Sequence, residues 1–197
     1  MRKEMSAELA RIHAHLCGDG SVCIWKTKEK DRNFTAVVGY YNKNQKLLEK
    51  FRKDFSKIFG VKMKMRNNRD VSIRSVRLFK ELTDKFGKFS SREWRISKII
   101  KDSSENIKIE WLKAFFEDEA YHEKRYNRLK IKSMNNHGLK DVKDMLDSLE
   151  INSKITGPNC DNSWYLTIPS FSDVKLLESF KKKPARKATF KREIHLK

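Results

Sequence analysis

Apolar residues recur every three to four positions over residues 6–17, 44–59, 76–86, 104–118 and 139–149. Over 22–27, 34–41, 61–66, 71–76, 128–133, 151–156 and 164–168 they alternate or form short runs. The first spacing lines one face of a helix and the second one face of a strand. Ser6 is placed to cap the first helix, whose core positions include Leu9 and Leu16. In 44–59, Leu47, Leu48, Phe51, Phe55, Ile58 and Phe59 form one stripe, and Gly60 follows at the stop. Residues 67–70 and 157–159 read as turns between strands, and 28–33 as a charged turn. Ser170 would cap a last helix to about residue 180.

The order is therefore αββαββα, written twice, with a weak first strand in the second copy. The expected fold is α+β, with two pseudo-symmetric halves. Residues 1–88 form the N-terminal half and 104–182 the C-terminal half. The polar, basic stretch 89–103 joins them, and 183–197 is a basic tail.

The two halves share a motif. LARIHAHLCGDGSV spans 9–22 and WLKAFFEDEAYHE spans 111–123. Each is a helix of small and apolar residues that closes on a carboxylate, Asp19 in one and Glu119 in the other. Ala10, Ala14 and Gly18 recur every four residues, and Ala114 matches Ala14. Small residues at that spacing let two helix backbones come close. Packed that way, the helices would bring Asp19 and Glu119 together at their C-terminal ends. Two carboxylates there repel each other and oppose the helix dipoles. A divalent cation relieves both penalties, and a hard-oxygen donor set suits Mg²⁺. Asp118 matches Gly18, so backbone carbonyls at Gly18 and Asp118 are further candidate ligands. The side chains of Glu117 and Asp118 read first as a solvated acidic helix end. Taken alone, Gly18-Asp19-Gly20 would be only a helix stop; its counterpart at Glu119 argues for more. His13-x-His15-x-Cys17 is a poor zinc site, since on a helix His15 leaves the face that His13 and Cys17 share.

Charge adds the partner. Lys and Arg number 45 against 26 Asp and Glu, a formal +19. Such a surplus draws a protein to a polyanion, with affinity that falls steeply in salt. Isolated, symmetry-related carboxylates on a basic protein point to metal-dependent cleavage of nucleic acid. No run approaches the ~20 apolar residues of a membrane span, and no membrane partner is expected. The first ten residues lack a signal-peptide apolar region, and the three cysteines form no framework. Both features fit an intracellular setting: cytoplasm or nucleoid, or an organelle in a eukaryote.

DNA contacts are expected on strand faces, where alternate residues point the same way. Lys62, Lys64 and Arg66 share one strand face, and Arg74 lies on the partner strand. Arg128, Lys130 and Lys132 share another face. The turns and strand ends add Lys26, Lys28, Arg32, Asn33, Asn68, Arg69, Arg125, Lys154, Asn159 and Asn162. Arg and Lys can pair with guanine edges and Asn with adenine in the major groove.

These motifs resemble those of the LAGLIDADG homing endonucleases, in the monomeric type that carries both motifs in one chain. Leu9, Ala10, Ala14, Leu16, Gly18, Asp19 and Gly20 match the first motif, and Trp111, Leu112, Ala114, Phe115, Phe116 and Glu119 the second. Segments 42–61 and 135–151 resemble the family's strand-to-helix region. Nearly the whole chain is covered. The resemblance implies saddle-shaped antiparallel sheets over DNA and a central interface of motif helices. It also implies Asp19 and Glu119 as Mg²⁺ ligands, with Mn²⁺ or Ca²⁺ as substitutes. Both strands of a long, loosely palindromic duplex site would be cut across the minor groove, leaving 3′ overhangs, and intron encoding is implied. A basic residue near each site would order the attacking water. Lys132 is the candidate in half two, with His122 as another; in half one Tyr40 and Tyr41 stand where Gln or Lys is expected. Ala14, Ala114 and Ala120 replace usual glycines, and His13 and His15 replace apolar residues. The alternative on the same scaffold is an RNA maturase or a DNA-binding regulator.

Overall fold

The computed structural model describes residues 5–27 and 34–169. Helix α1 (Ala7–Cys17) starts at Ser6, whose hydroxyl accepts the Leu9 N–H at 3.3 Å. Strands β1 (Gly20–Lys26) and β2 (Phe34–Tyr41) follow, then α2 (Gln45–Phe59). Asn44 caps α2 through Lys46 N–H, and Gly60 ends it in the left-handed region at φ 69°. Strands β3 (Lys64–Arg66) and β4 (Asp70–Arg74) form a hairpin. Ser75 then caps α3 (Val76–Phe86) through Leu78 N–H at 3.2 Å.

A short helix α4 (Lys98–Lys101) precedes α5 (Glu105–Glu119). Strand β5 (Ala120–Glu123), a 3-10 turn (Lys124–Tyr126), β6 (Arg128–Ser133), α6 (Asn136–Asp147), β7 (Lys154–Thr156) and β8 (Trp164–Ile168) complete the described chain. The two antiparallel sheets have orders β1-β2-β4-β3 and β5-β6-β8-β7. The same order in both sheets is the repeat that the hydrophobic pattern predicts. Among the described residues no helix is long and apolar enough to cross a membrane.

Three expectations change. First, β3 begins at Lys64, so Lys62 is outside the strand. Met63 turns into the core at 2% exposure, and Lys62 lies beside Glu49, Arg52, Lys53 and Ser56 of α2. Second, 89–102 is not a polar connector. Phe89, Trp94, Ile96 and Ile100 are all buried. Trp94 closes on Gly138, where an added Cβ would meet its ring at 2.5 Å, and its carbonyl accepts Asn135 Nδ2 at 2.7 Å. The buried Asp141 carboxylate accepts from Arg95, Lys101 and the Ile96 N–H. Burial alone would push its pKa up; these donors outweigh burial and hold it below the usual range. Third, the weak first strand of half two exists, but with only four residues. The turn holding Lys28, Arg32 and Asn33, the helix expected from Ser170 and the basic tail lie outside the described residues.

Candidate active site and nucleic-acid interface

Helices α1 and α5 pack directly on each other, with Ala10, Ala14, Trp111, Leu112, Ala114 and Phe115 sealed between or beside them. They approach closely at the end. A Cβ on Gly18 would lie 2.9 Å from the Asp118 Cβ, nearer than side chains tolerate. Only glycine lets the two ends meet there. The next residues on each chain, Asp19 and Glu119, therefore emerge from adjoining ends, and both are partly exposed.

Polar side chains fasten this helix pair in three places. The Arg11 guanidinium holds Asp54 of α2 by two bonds, 2.8 and 2.9 Å, and Glu110 of α5 at 2.7 Å. Trp111 Nε1 donates to His13 Nδ1 at 2.8 Å. His13 sits among Phe86, Phe89 and Trp111, and burial lowers its pKa to about 3, so it is neutral. Cys17 Sγ is 3.7 Å from the same ring; burial first, and then the charge of Asp141, pushes this thiol's pKa up. The polar replacements His13 and His15 are thus internal hydrogen-bonding groups, each reaching across to the other helix.

The third fastening contradicts the reading of Asp118 as a solvated helix end. Asp118 is 0% exposed. Its carboxylate pairs with His15 Nδ1 at 2.8 Å and accepts Tyr40 Oη–H at 2.6 Å and Asn42 Nδ2–H at 3.1 Å. Burial raises the Tyr40 pKa first, and the Asp118 charge raises it further, so the phenol stays protonated and donates. With its side chain so occupied, Asp118 can offer a metal only its backbone carbonyl.

Asn42 extends the network to the candidate site. Its Nδ2 also lies 3.3 Å from Asp19 Oδ2. Its Oδ1 accepts the Asn44 N–H at 2.9 Å, which fixes the amide at the start of α2. One buried amide so touches both the interface carboxylate and the exposed one. Sequence reasoning passed over Asn42 as a site residue. Its signal was positional: a polar residue directly after a strand and two before a helix cap.

The strand register aligns the two halves. Tyr41 N–H donates to Asp19 O at 3.1 Å, one step beyond the Gly20↔Tyr40 pair. In half two, one step beyond Ala120↔Ile131 sets Lys132 opposite Glu119. Tyr41 is thus the positional equivalent of Lys132. Tyr40 matches Ile131 and is buried, so it cannot face solvent as a water-ordering group. His122 alternates with Tyr121 and Glu123, which puts it on the core side of its sheet, away from Lys132.

The other candidates divide by face. Lys64, Arg66 and Arg74 share the outer face of the first sheet with Ser21, Cys23 and Tyr41. Arg128, Lys130, Lys132 and Lys154 share the outer face of the second with Tyr121, Tyr165 and Thr167. Lys64 and Lys154 are register equivalents, opposite Ser72 and Thr167. Lys26 alternates with Ile24 and Val22 and so belongs to the opposite face. Asn68 and Arg69 sit exposed at the β3–β4 turn, with Asn68 at φ 51°. Arg125 lies in the β5–β6 turn over the Tyr126 ring at 5.3 Å. Asn159 spends its side chain bracing its own loop, donating to Ser163 O at 2.8 Å; Asn162 in the same loop is exposed.

No protein-family profile matches the sequence, and no curated protein matches it. Solved structures do. I-DmoI in complex with DNA and Mn is 17% identical, with a TM-score of 0.66 over 90% of this chain and 98% of that one. The N-terminal LAGLIDADG domain of DUF199/WhiA is 12% identical, with a TM-score of 0.52 over 94% of this chain and 87% of that one. Full-length DUF199/WhiA from Thermatoga maritima gives 13% and 0.53, with 89% and 56% covered.

The chain has the LAGLIDADG homing-endonuclease fold.

In this fold α1 and α5 are the motif helices. Among the described residues no three or more His, Cys, Asp or Glu side chains cluster to hold a metal. Asp19 and Glu119, with the carbonyls of Gly18 and Asp118, are the sparse hard-oxygen set at the helix ends that could hold one. That suits a cation which keeps several waters and takes phosphate oxygens.

Proposed function

We propose that the protein is a site-specific, divalent-metal-dependent endonuclease that cuts both strands of duplex DNA across the minor groove, leaving 3′ overhangs. It acts as a monomer on a long, loosely palindromic site, since one chain holds two carboxylates and two unlike reading faces. The observation that carries this reading is the abutment of Gly18 and Asp118, the residues that immediately precede Asp19 and Glu119. I-DmoI with DNA and Mn, Mg or Ca has the same fold, which supports duplex DNA as partner and a divalent metal as cofactor.

In this reading Asp19 and Glu119 hold Mg²⁺, with Mn²⁺ or Ca²⁺ as substitutes. The bound ion supplies an activated water and stabilises the leaving 3′ oxygen. Asn42 orients Asp19. Lys132 lies opposite Glu119 and orders the attacking water on that side. Arg66 and Arg74 contact bases or phosphates, and Arg128 and Lys130 contact base edges. An intracellular location and intron encoding belong to the same proposal.

The test is cleavage of a randomised duplex library with Mg²⁺, followed by sequencing of the ends. Asp19→Asn and Glu119→Gln should each nearly abolish cutting while leaving DNA binding intact or tighter. Cutting that persists in EDTA, or either variant cutting at the normal rate, would falsify the assignment. One feature favours a second reading: Tyr41 stands where half one would need a basic group. A protein that binds nucleic acid without cutting it, as a maturase or regulator, would bind the library or a structured RNA yet leave every end intact.

A further inference from the structure

The second reading face carries its own acids, and they pair with three of its cations. Glu123 stands opposite Arg128 across β5 and β6, and Arg128 Nε donates to its Oε2. Lys130 Nζ lies 3.8 Å from the same oxygen. Lys132 Nζ donates to Asp161 Oδ2 at 2.6 Å. The Asp161 carboxylate is itself fixed, since its Oδ1 accepts the Ser163 N–H at 3.1 Å and Ser163 Oγ–H at 2.5 Å. Rings complete the setting: Arg128 lies 4.5 Å over Tyr126, and Lys130 4.3 Å over Tyr165.

The first face is different. Asp70 stands opposite Arg66 in the register, yet among the described residues Lys64, Arg66 and Arg74 form no ion pair with a carboxylate. Glu123 corresponds by register to Cys23, so the first sheet has no acid at that place.

Such exposed pairs add little to folding. Their effect is on what the cations do when DNA arrives. A phosphate that takes Arg128, Lys130 or Lys132 must displace a carboxylate or share the cation with it and lie beside its negative charge. The sequence-independent pull of DNA comes from cations that neutralise phosphates and release counterions. On this face that pull is held down, and docking depends on contacts to base edges.

We infer that Glu123 and Asp161 are specificity-determining residues, which hold Arg128, Lys130 and Lys132 off the phosphates of duplex DNA. The inference rests on the proposed reading of DNA by the sheet faces.

The experiment is a titration of the full chain against a labelled duplex of arbitrary sequence, in EDTA, at several salt concentrations. Glu123→Gln and Asp161→Asn should each bind this duplex several-fold more tightly. The slope of log affinity against log salt should steepen by about one for each cation released to a phosphate. Selection from a randomised duplex library should return a looser base preference than wild type gives. Glu81→Gln on α3 makes the same charge change on a helix packed at the core side of the first sheet, and should leave slope and preference alone. Wild-type slopes and preferences in both variants, or a control that shifts as much as they do, would overturn the inference. A wild-type protein that binds no duplex at all would remove the DNA reading itself, and this inference with it.

Discussion

His15 Nδ1 and Asp118 Oδ2 meet at 2.8 Å, and both side chains are cut off from water. A charge in such a place survives only if its partners are complete. Those of Asp118 include His15, Tyr40 and Asn42. Asp118→Ala would leave His15 and Tyr40 without that acceptor inside the helix interface. We expect it to destabilise the fold by about 3–5 kcal/mol, the usual scale for breaking a buried pair. Glu119→Gln, at the exposed neighbour, should cost less than ~1 kcal/mol. Urea unfolding of the two variants checks this, and equal midpoints would refute it.

Neutral His13 makes stability depend on pH. Its folded pKa is about 3, because burial penalises the charged ring, against an unfolded value of 6.5. The unfolded chain therefore takes up the proton first as pH falls. This contribution is fully present above pH 6.5, is lost as pH drops from 6.5 toward 3, and amounts to roughly 2 kcal/mol by pH 5. His13→Gln keeps an acceptor for Trp111 and removes the titration. Its stability relative to wild type should improve steadily from pH 7 to pH 4. A pH-independent difference between the two proteins would contradict this account.

Gly18→Ala should separate the motif helices. The added methyl meets the Asp118 side chain at 2.9 Å, and three hydrogen bonds prevent that side chain from moving aside. Overpacking of this kind costs about 1–3 kcal/mol. Because the strain falls next to Asp19 and Glu119, cleavage should drop by more than stability alone explains. The measurement is the single-turnover rate at a temperature where both proteins are folded.

Tyr41 and Lys132 occupy equivalent register positions opposite Asp19 and Glu119, so the two strands of a target should be cut at unequal rates. Supercoiled plasmid bearing the site should pass through a nicked circle that accumulates. Tyr41→Lys supplies the missing cation and should shrink that intermediate. If the variant accumulates as much nicked circle as wild type, Lys132 has no special part in the cut.

Asp141→Asn tests the connection between the halves. The buried carboxylate accepts from Arg95, Lys101 and the Ile96 N–H. The asparagine cannot satisfy all three, and leaving the buried Ile96 N–H unmet costs about 1–3 kcal/mol. Protease cleavage within 89–103 should become faster in the variant. An unchanged digestion rate would mean that the segment is held by its apolar residues alone.

Much of the architecture is legible in the chain. The helix over 76–86 and the strands over 34–41, 128–133 and 164–168 follow from periodicity and agree with the structure residue for residue. The motif pair marks the right two helices, because small residues every four positions serve close packing wherever they occur. What periodicity misses depends on three-dimensional meetings. Nothing local distinguishes Asp118 from Glu117, yet Asp118 lands under Tyr40 and His15 from the other half. Asn42 reads as strand-end punctuation until α2 turns its amide toward Asp19. The apolar residues in 89–102 have no regular period, so the basic residues around them dominate the reading.

The packing of Trp94 and Arg95 bears on how the chain could be divided. Phe89 rests on His13 of α1, whereas Trp94 covers Gly138 and Arg95 grips Asp141 of α6. Allegiance changes within five residues, not at the start of α5. A second half cut out at 104 would leave behind the lid over its own α6. A chimera that joins this half to a foreign first half keeps its native footing only if the seam falls between Phe89 and Trp94.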